Sequence, residues 1–239
     1  MLHVNQFVTS LDKQPNPLTG HINPGQVACV LGRNGAGKSW LLRSVAGLNA
    51  IRSGSIEGPD DQPQARWCGY LAQTESRLFP MRVKDYVLSA RHPWLAWHQD
   101  YRPSDHEYVE SALARMGLAD KANTSIQTLS GGEWQRVRLA ALIAQQAKVW
   151  LLDEPIEHLD PGHIWSTLPD LIRDHQADGG CVLMVAHDPD WAAQCSDQVL
   201  LLGAQQWSWA SAEEQLTQAK LSQLYGHPYE CRDGRWFAV

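Results

Sequence analysis

Gly32-Arg33-Asn34-Gly35-Ala36-Gly37-Lys38-Ser39 is the stretch that decides the fold of this chain. It fits the pattern G-x-x-x-x-G-K-[ST], a loop that wraps the phosphates of a nucleotide. Its glycines let backbone N–H groups converge on phosphate oxygens, where a Cβ would crowd the approach. Lys38 then reaches the β- and γ-phosphates as a point charge, and the Ser39 hydroxyl is placed to ligate Mg²⁺. Just before the loop, Val27-Ala28-Cys29-Val30-Leu31 is a short apolar run that reads as a buried strand. Just after it, Leu41, Leu42, Val45 and Ala46 recur at helical spacing until Gly47. A phosphate-binding loop needs this order of strand, glycine loop and helix, because the helix N-terminus adds positive potential.

At 239 residues the chain is long enough for one large α/β domain or for a domain with a modest insertion. A net charge of −6 argues against a nucleic-acid partner, since binding there is dominated by phosphate neutralisation. No apolar stretch approaches the roughly 18 residues of a membrane span, and Met1–Ser10 lacks the pattern of a secretory signal. Cys29, Cys68, Cys181, Cys195 and Cys231 show no C-x-x-C pairing and read as thiols of a reducing cytosol. Membrane association is therefore expected to come through a partner. The stretches near Pro15–Gly25 and Gly58–Pro63 read as loops, Trp67–Leu71 as a strand ending at Gln73, and Val83–Ala122 as helix-prone, interrupted by a loop at His92–Pro103.

The second half carries further chemistry. Val149-Trp150-Leu151-Leu152 is a continuous apolar run followed by Asp153 and Glu154, as expected of a central parallel strand. Ligands of open α/β sheets sit at the carboxyl ends of strands, so both acids emerge beside the phosphates. Asp153 is suited to hold magnesium, and Glu154 to accept a proton from an attacking water. Cys181–Ala186 is another buried strand, ending at His187, whose ring N–H is then directed into the same cleft. Leu129-Ser130-Gly131-Gly132-Glu133 precedes a helical pattern from Trp134 to about Ala144. Two readings remain open there. It is a simple helix cap, or it is a second anion site that one copy of the chain offers to the nucleotide held by another.

In these motifs, over nearly its whole length, the chain resembles the nucleotide-binding subunits of ABC transporters. Gly32–Ser39 resembles the Walker A loop, Gln73 the Q-loop glutamine, Leu129–Glu133 the signature, and Val149–Glu154 Walker B with its catalytic glutamate. His158-Leu159-Asp160 falls at the D-loop and His187 at the switch histidine. Trp40 stands where Thr is usual and Glu133 where Gln is commoner; the place of an adenine-stacking ring has no clear aromatic, Phe7 being the nearest and equally readable as a core residue. The resemblance implies a single ABC ATPase domain over residues 1–239. Its fold would be a P-loop core with a mostly parallel sheet, an N-terminal antiparallel β element and an inserted helical region at about 74–128.

It further implies that ATP and Mg²⁺ are held by Gly32, Arg33, Asn34, Gly35, Ala36, Gly37, Lys38, Ser39 and Trp40, with Ser130, Gly131, Gly132 and Asp160 joining them. Ser39, Gln73 and Asp153 would serve the metal, and Glu154, His187 and Gln73 the hydrolysis. The implied partners are a second copy in a head-to-tail ATP sandwich, two integral-membrane permease subunits docked near Gln73 and residues 74–128, and, indirectly, a substrate-binding protein. The implied place is the cytoplasmic face of the inner membrane. The run Leu129–Ala141, with Trp134 after the signature, is similar to vitamin B12 importer ATPases. Arg91-His92-Pro93 and Leu224-Tyr225-Gly226 fit the wider iron-chelate and heme group. The expected cargo is a metal chelate, cobalamin first and ferric siderophore or heme second. A soluble ABC ATPase of iron–sulfur cluster assembly is the alternative of a different class. Trp94 and Trp97 face a membrane subunit or anchor their own loop.

Overall fold

The apolar runs that flank the glycine loop and precede the acids become neighbouring strands of one sheet. The computed structural model describes residues 1–10, 16–59, 62–155 and 164–239. Its first half contains β1 (Leu2–Thr9), β2 (Leu18–Ile22), β3 (Val27–Gly32), α1 (Lys38–Val45), β4 (Ile51–Glu57), α2 (Gln64–Trp67), β5 (Cys68–Leu71), α3 (Val83–Ser89) and α4 (Pro103–Arg115). The second half contains α5 (Gly131–Gln145), β6 (Val149–Leu152), α6 (Ile164–Ala177), β7 (Cys181–Val185), α7 (Pro189–Cys195), β8 (Gln198–Leu202) and β9 (Trp207–Ser211). The helices α8 (Ala212–Gln215) and α9 (Gln218–Tyr225) and the hairpin β10 (Tyr229–Arg232) and β11 (Arg235–Ala238) follow.

The main sheet has the order β5-β6-β7-β3-β8-β9. The first five strands are parallel and β9 runs antiparallel to β8. Both faces are covered, which is why these strands are continuously apolar. Cys29, Leu31, Trp150, Leu152, Val182 and Met184 join a core with Val87, Leu113, Leu139 and Leu168 of the helices. The alternate residues Ala28, Val30, Leu151, Leu183 and Leu200 join a second core. Its other members come from α1 (Leu41, Leu42, Val45) and from the antiparallel sheet β2-β1-β4, with Leu2, Val4, Phe7, Leu18 and Ile22. This is the α/β fold that the motifs imply, with a mostly parallel sheet, antiparallel β elements and an inserted helical layer.

Between β5 and β6, α3 and α4 pack on α5. The helix-prone stretch is thus two helices and short 3₁₀ turns at His92–Trp94 and Ala119–Lys121, with Pro103 opening α4 where its missing N–H costs nothing. Arg91 pins this layer. Its guanidinium bonds Asp105 at 2.8 Å and the carbonyls of Ala144 and Gln145 at 2.9 and 3.1 Å, between the rings of Trp94 and Tyr108. Trp94 donates to the Gln145 carbonyl at 2.7 Å, so it anchors its loop, whereas Trp97 is 89% exposed.

Two local expectations are corrected. Leu18–Ile22, inside the stretch read as a loop, is a strand: Leu18 and Ile22 are buried, and their pairing with Phe7 and Leu2 of β1 overrides the surrounding Pro and Gly. Trp67, read as the start of a strand, ends α2 instead, and its indole lies so close to Gly58 that a Cβ there would overlap it.

Candidate functional site

The sheet's parallel direction brings the strand ends β3, β5, β6 and β7 to one edge. The loop after β3 turns through Gly35 (φ 77°) and Gly37 (φ 99°), the second of which caps α1 in a left-handed conformation that L residues rarely adopt. Lys38, buried at the first position of α1, donates to the carbonyls of Gly32 at 2.9 Å and Arg33 at 3.3 Å. Its ammonium is thereby held inside the loop that the phosphates would enter.

Ser39 donates through Oγ to Asp153 Oδ1 at 3.0 Å, joining α1 to the end of β6. Asp153 is 1% exposed, and its other oxygen accepts from the Tyr70 hydroxyl of β5 at 3.1 Å. Burial is the main reason that the Tyr70 hydroxyl is pushed up to about 12, partly offset by a hydrogen bond with Arg43. Tyr70 therefore stays a donor to Asp153 at neutral pH. A hydroxyl and a carboxylate this close are hard oxygen donors of the kind Mg²⁺ prefers when it is also held by substrate phosphates. The donor set fits that ion.

Gln73 and Glu154 leave the adjacent strands β5 and β6 side by side, and the Asp153 N–H closes this edge by donating to the Leu71 carbonyl at 2.9 Å. Glu154 sits at φ 52°, left-handed and unusual for a residue with a side chain. Its carboxylate accepts from Gln73 Nε2 on one oxygen and lies 2.5 Å from His187 Nε2 on the other. Asn34, Gly35, Ala36, Gly37, Lys38, Ser39, Trp40, Gln73, Glu154 and His187 line one cavity of about 450 Å³. A carboxylate, a histidine and an amide thus face the glycine loop across a space of nucleotide scale.

Leu129–Glu133 lies apart from this cavity at the start of α5. The Ser130 hydroxyl accepts from the Glu133 N–H at 3.3 Å, and the Glu133 carboxylate accepts from the Ser130 N–H at 2.9 Å, a reciprocal capping box. Lys121 pairs with Glu133 at 2.6 Å and, with the Ser130 bonds, holds its carboxyl down to about 2. The cap reading is therefore realised. Nothing in the described residues lies near the places where Cβ atoms on Gly131 and Gly132 would be. His158, Leu159 and Asp160 lie outside the described residues. Phe7 is 0% exposed in the core below the antiparallel sheet, so it is a packing residue that presents no ring for a base to stack on.

Sequence reasoning missed three contacts around the cavity: the Tyr70 bond to Asp153, and the bonds by which Arg138 and Gln135 of α5 reach the carbonyls of Ala72 and Pro155, beside Gln73 and Glu154. Tyr70 looks like any strand aromatic, and only its alternation with Leu71 on β5 hints at the opposite face. Gln135 and Arg138 share a face of α5 at i, i+3 spacing, a signal that becomes meaningful once the helix is placed.

Fold and site together define a P-loop nucleotide hydrolase. The ABC transporter family profile matches residues 15–157. The chain belongs to the ABC transporter family, as an ATP-binding subunit that hydrolyses ATP. It is 41% identical over 195 residues, 75% of this chain and 73% of the other, to the hemin import ATP-binding protein HmuV of Pseudomonas fluorescens. It is 33% identical over 211 residues to the petrobactin import ATP-binding protein FpuC of Bacillus anthracis, covering 84% of this chain and 78% of the other. A structure described as a metal-chelate type ABC transporter in an inward-facing conformation superposes with a TM-score of 0.83 at 27% identity, over 99% of this chain and 94% of that one.

Proposed function

We propose that this chain powers the import of a metal chelate, with heme or a ferric siderophore ahead of cobalamin. The observation that carries the chemistry is the Glu154 carboxylate, held between Gln73 and His187 at the mouth of the cavity that Lys38 and the Ser39–Asp153 pair floor. The hemin and petrobactin importer subunits among its relatives, and the transporter of metal-chelate type, support the cargo class and move heme and siderophores ahead of cobalamin.

The loop Gly32–Ser39 binds the phosphates through backbone N–H groups, with Lys38 on the β- and γ-oxygens. Ser39 and Asp153 would hold Mg²⁺, which would supply neutralisation of the phosphate charge when bound. Glu154 accepts a proton from the attacking water, Gln73 and His187 fix the carboxylate's orientation, and His187 contacts the γ-phosphate. Two copies close head to tail, so that Ser130, Gly131 and Gly132 of one meet the nucleotide on Lys38 of the other, with Asp160 proposed among the nucleotide-binding residues. The capping box leaves the Gly131 and Gly132 N–H groups at a helix N-terminus for that contact.

Residues 74–128 dock on two permease subunits at the cytoplasmic face of the membrane. Leu78 and Phe79, 74% and 75% exposed just after Gln73, are large apolar side chains without cover in the isolated chain and suit such a surface. No described helix is long and apolar enough to cross a membrane, which agrees with a peripheral place. The test is co-purification from membranes, followed by ATPase assays with binding proteins loaded with heme, ferric siderophore or cobalamin. Stimulation by heme or siderophore supports the proposal, and stimulation by cobalamin alone restores that cargo. An active ATPase with no membrane partner favours the soluble cluster-assembly reading.

A further inference from the structure

The stretch Trp134–Ala141 contains two buried polar side chains, Gln135 and Arg138, that the hydrolytic scheme leaves unused. They lie one turn apart on α5, and Arg138 Nη1 donates to Gln135 Oε1 at 2.8 Å. From this shared point they reach in two directions. Arg138 Nη2 donates to the carbonyl of Ala72, the residue before Gln73, and its Nε donates to Glu75 at 3.3 Å, just beyond it. Gln135 Nε2 donates to the carbonyl of Pro155, the residue after Glu154, at 3.4 Å. Glu75 also accepts from the Tyr86 hydroxyl of α3 at 2.8 Å, and the Tyr86 ring packs 4.8 Å from Trp134.

We propose that Gln135 and Arg138 are positioning residues that set the distance between the Gln73 amide and the Glu154 carboxylate from a single rigid helix. The reading rests on the hydrolytic roles given above. Gln73 and Glu154 both sit in irregular backbone, one in a loop and one at φ 52°, so strand pairing alone does not fix their side chains. A guanidinium has the donor fork needed to hold Ala72, Glu75 and Gln135 together, which a single ammonium lacks. Through Glu75 and Tyr86, the same fork ties the Gln73 loop to α3, so a shift of the helical layer reaches the catalytic carboxylate.

The experiment is steady-state ATPase kinetics on the full chain with Arg138→Lys and Glu75→Gln, each checked for folding by thermal melting. Arg138→Lys is expected to lower kcat about tenfold and Glu75→Gln about threefold, with KM for ATP within about twofold of the parent, because a small misplacement of reacting groups costs rate and not substrate binding. If Arg138→Lys fails to fold, Glu75→Gln, whose side chain is partly exposed, decides the matter. An active parent with folded variants at parent rates, or a rise in KM at unchanged kcat, overturns the positioning role alone. A parent without ATPase activity overturns the underlying reading instead.

Discussion

Arg91→Met is expected to destabilise the protein by about 3–5 kcal/mol, the usual cost of stranding one member of a buried ion pair. Asp105 would lose its 2.8 Å partner while remaining buried, and the Ala144 and Gln145 carbonyls at the end of α5 would lose their donor. Methionine preserves much of the contact with Trp94 and Tyr108, so the loss reports the charge and its hydrogen bonds. Asp105→Asn should cost a similar amount, because it leaves the guanidinium without a counter-charge. The double variant should cost clearly less than the two singles added, since each already removes the pair. Burial raises the Asp105 carboxyl, but the Arg102 backbone N–H and the Arg91 guanidinium outweigh it and hold the carboxyl below its usual range. A lowered folded-state pKa gives stability that is present above the ordinary carboxylate range and is lost as pH falls through the folded value. Urea unfolding at pH 7 and at steps below pH 4 measures both effects. A loss under about 1 kcal/mol for Arg91→Met, or strictly additive singles, would refute the view that this pair pins the helical layer.

Other consequences follow from the same geometry. His175 stacks on Trp150 at 3.9 Å, and burial pulls its pKa down to about 4, so stability should fall as pH drops from about 6.5 to 4. The shift corresponds to about 3 kcal/mol at most, and His175→Phe should flatten that part of the stability–pH curve; parallel curves would count against it. Asp153→Asn should lower kcat by about 10²-fold or more and weaken magnesium-dependent ATP binding, measured by titration with and without EDTA. Tyr70→Phe removes one donor to Asp153 and should cost about 1–3 kcal/mol of stability in urea.

Much of the site is readable from local runs because its groups sit at strand ends, where apolar continuity and a polar break coincide. Gly32–Ser39, Asp153, Glu154 and His187 are each announced by the strand before them. The ring of contacts around them is another matter. Tyr70 meets Asp153 across two strands, and Arg138 meets Ala72 across a loop and a helix, so neither partner is a neighbour in sequence. Phe7 shows the limit of position alone: it is the ring nearest in sequence to the place of a stacking aromatic, and its strand turns it into the core. β2 was hidden by Pro and Gly whose effect is local, while its pairing with β1 is decided by burial. The segment with Leu129–Glu133 showed both of its features at once: the Ser130–Glu133 spacing announces the cap, and the same backbone N–H groups remain the candidate anion site.

The role of Glu154 as general base is decided by comparing ATP hydrolysis and ATP binding in the purified parent and in Glu154→Gln. Magnesium-dependent hydrolysis is expected in the parent, with a fall of about 10²–10⁴-fold in the variant and ATP affinity retained in both. Hydrolysis by Glu154→Gln at the parent rate would contradict the assignment of the general base and the mechanism built on it.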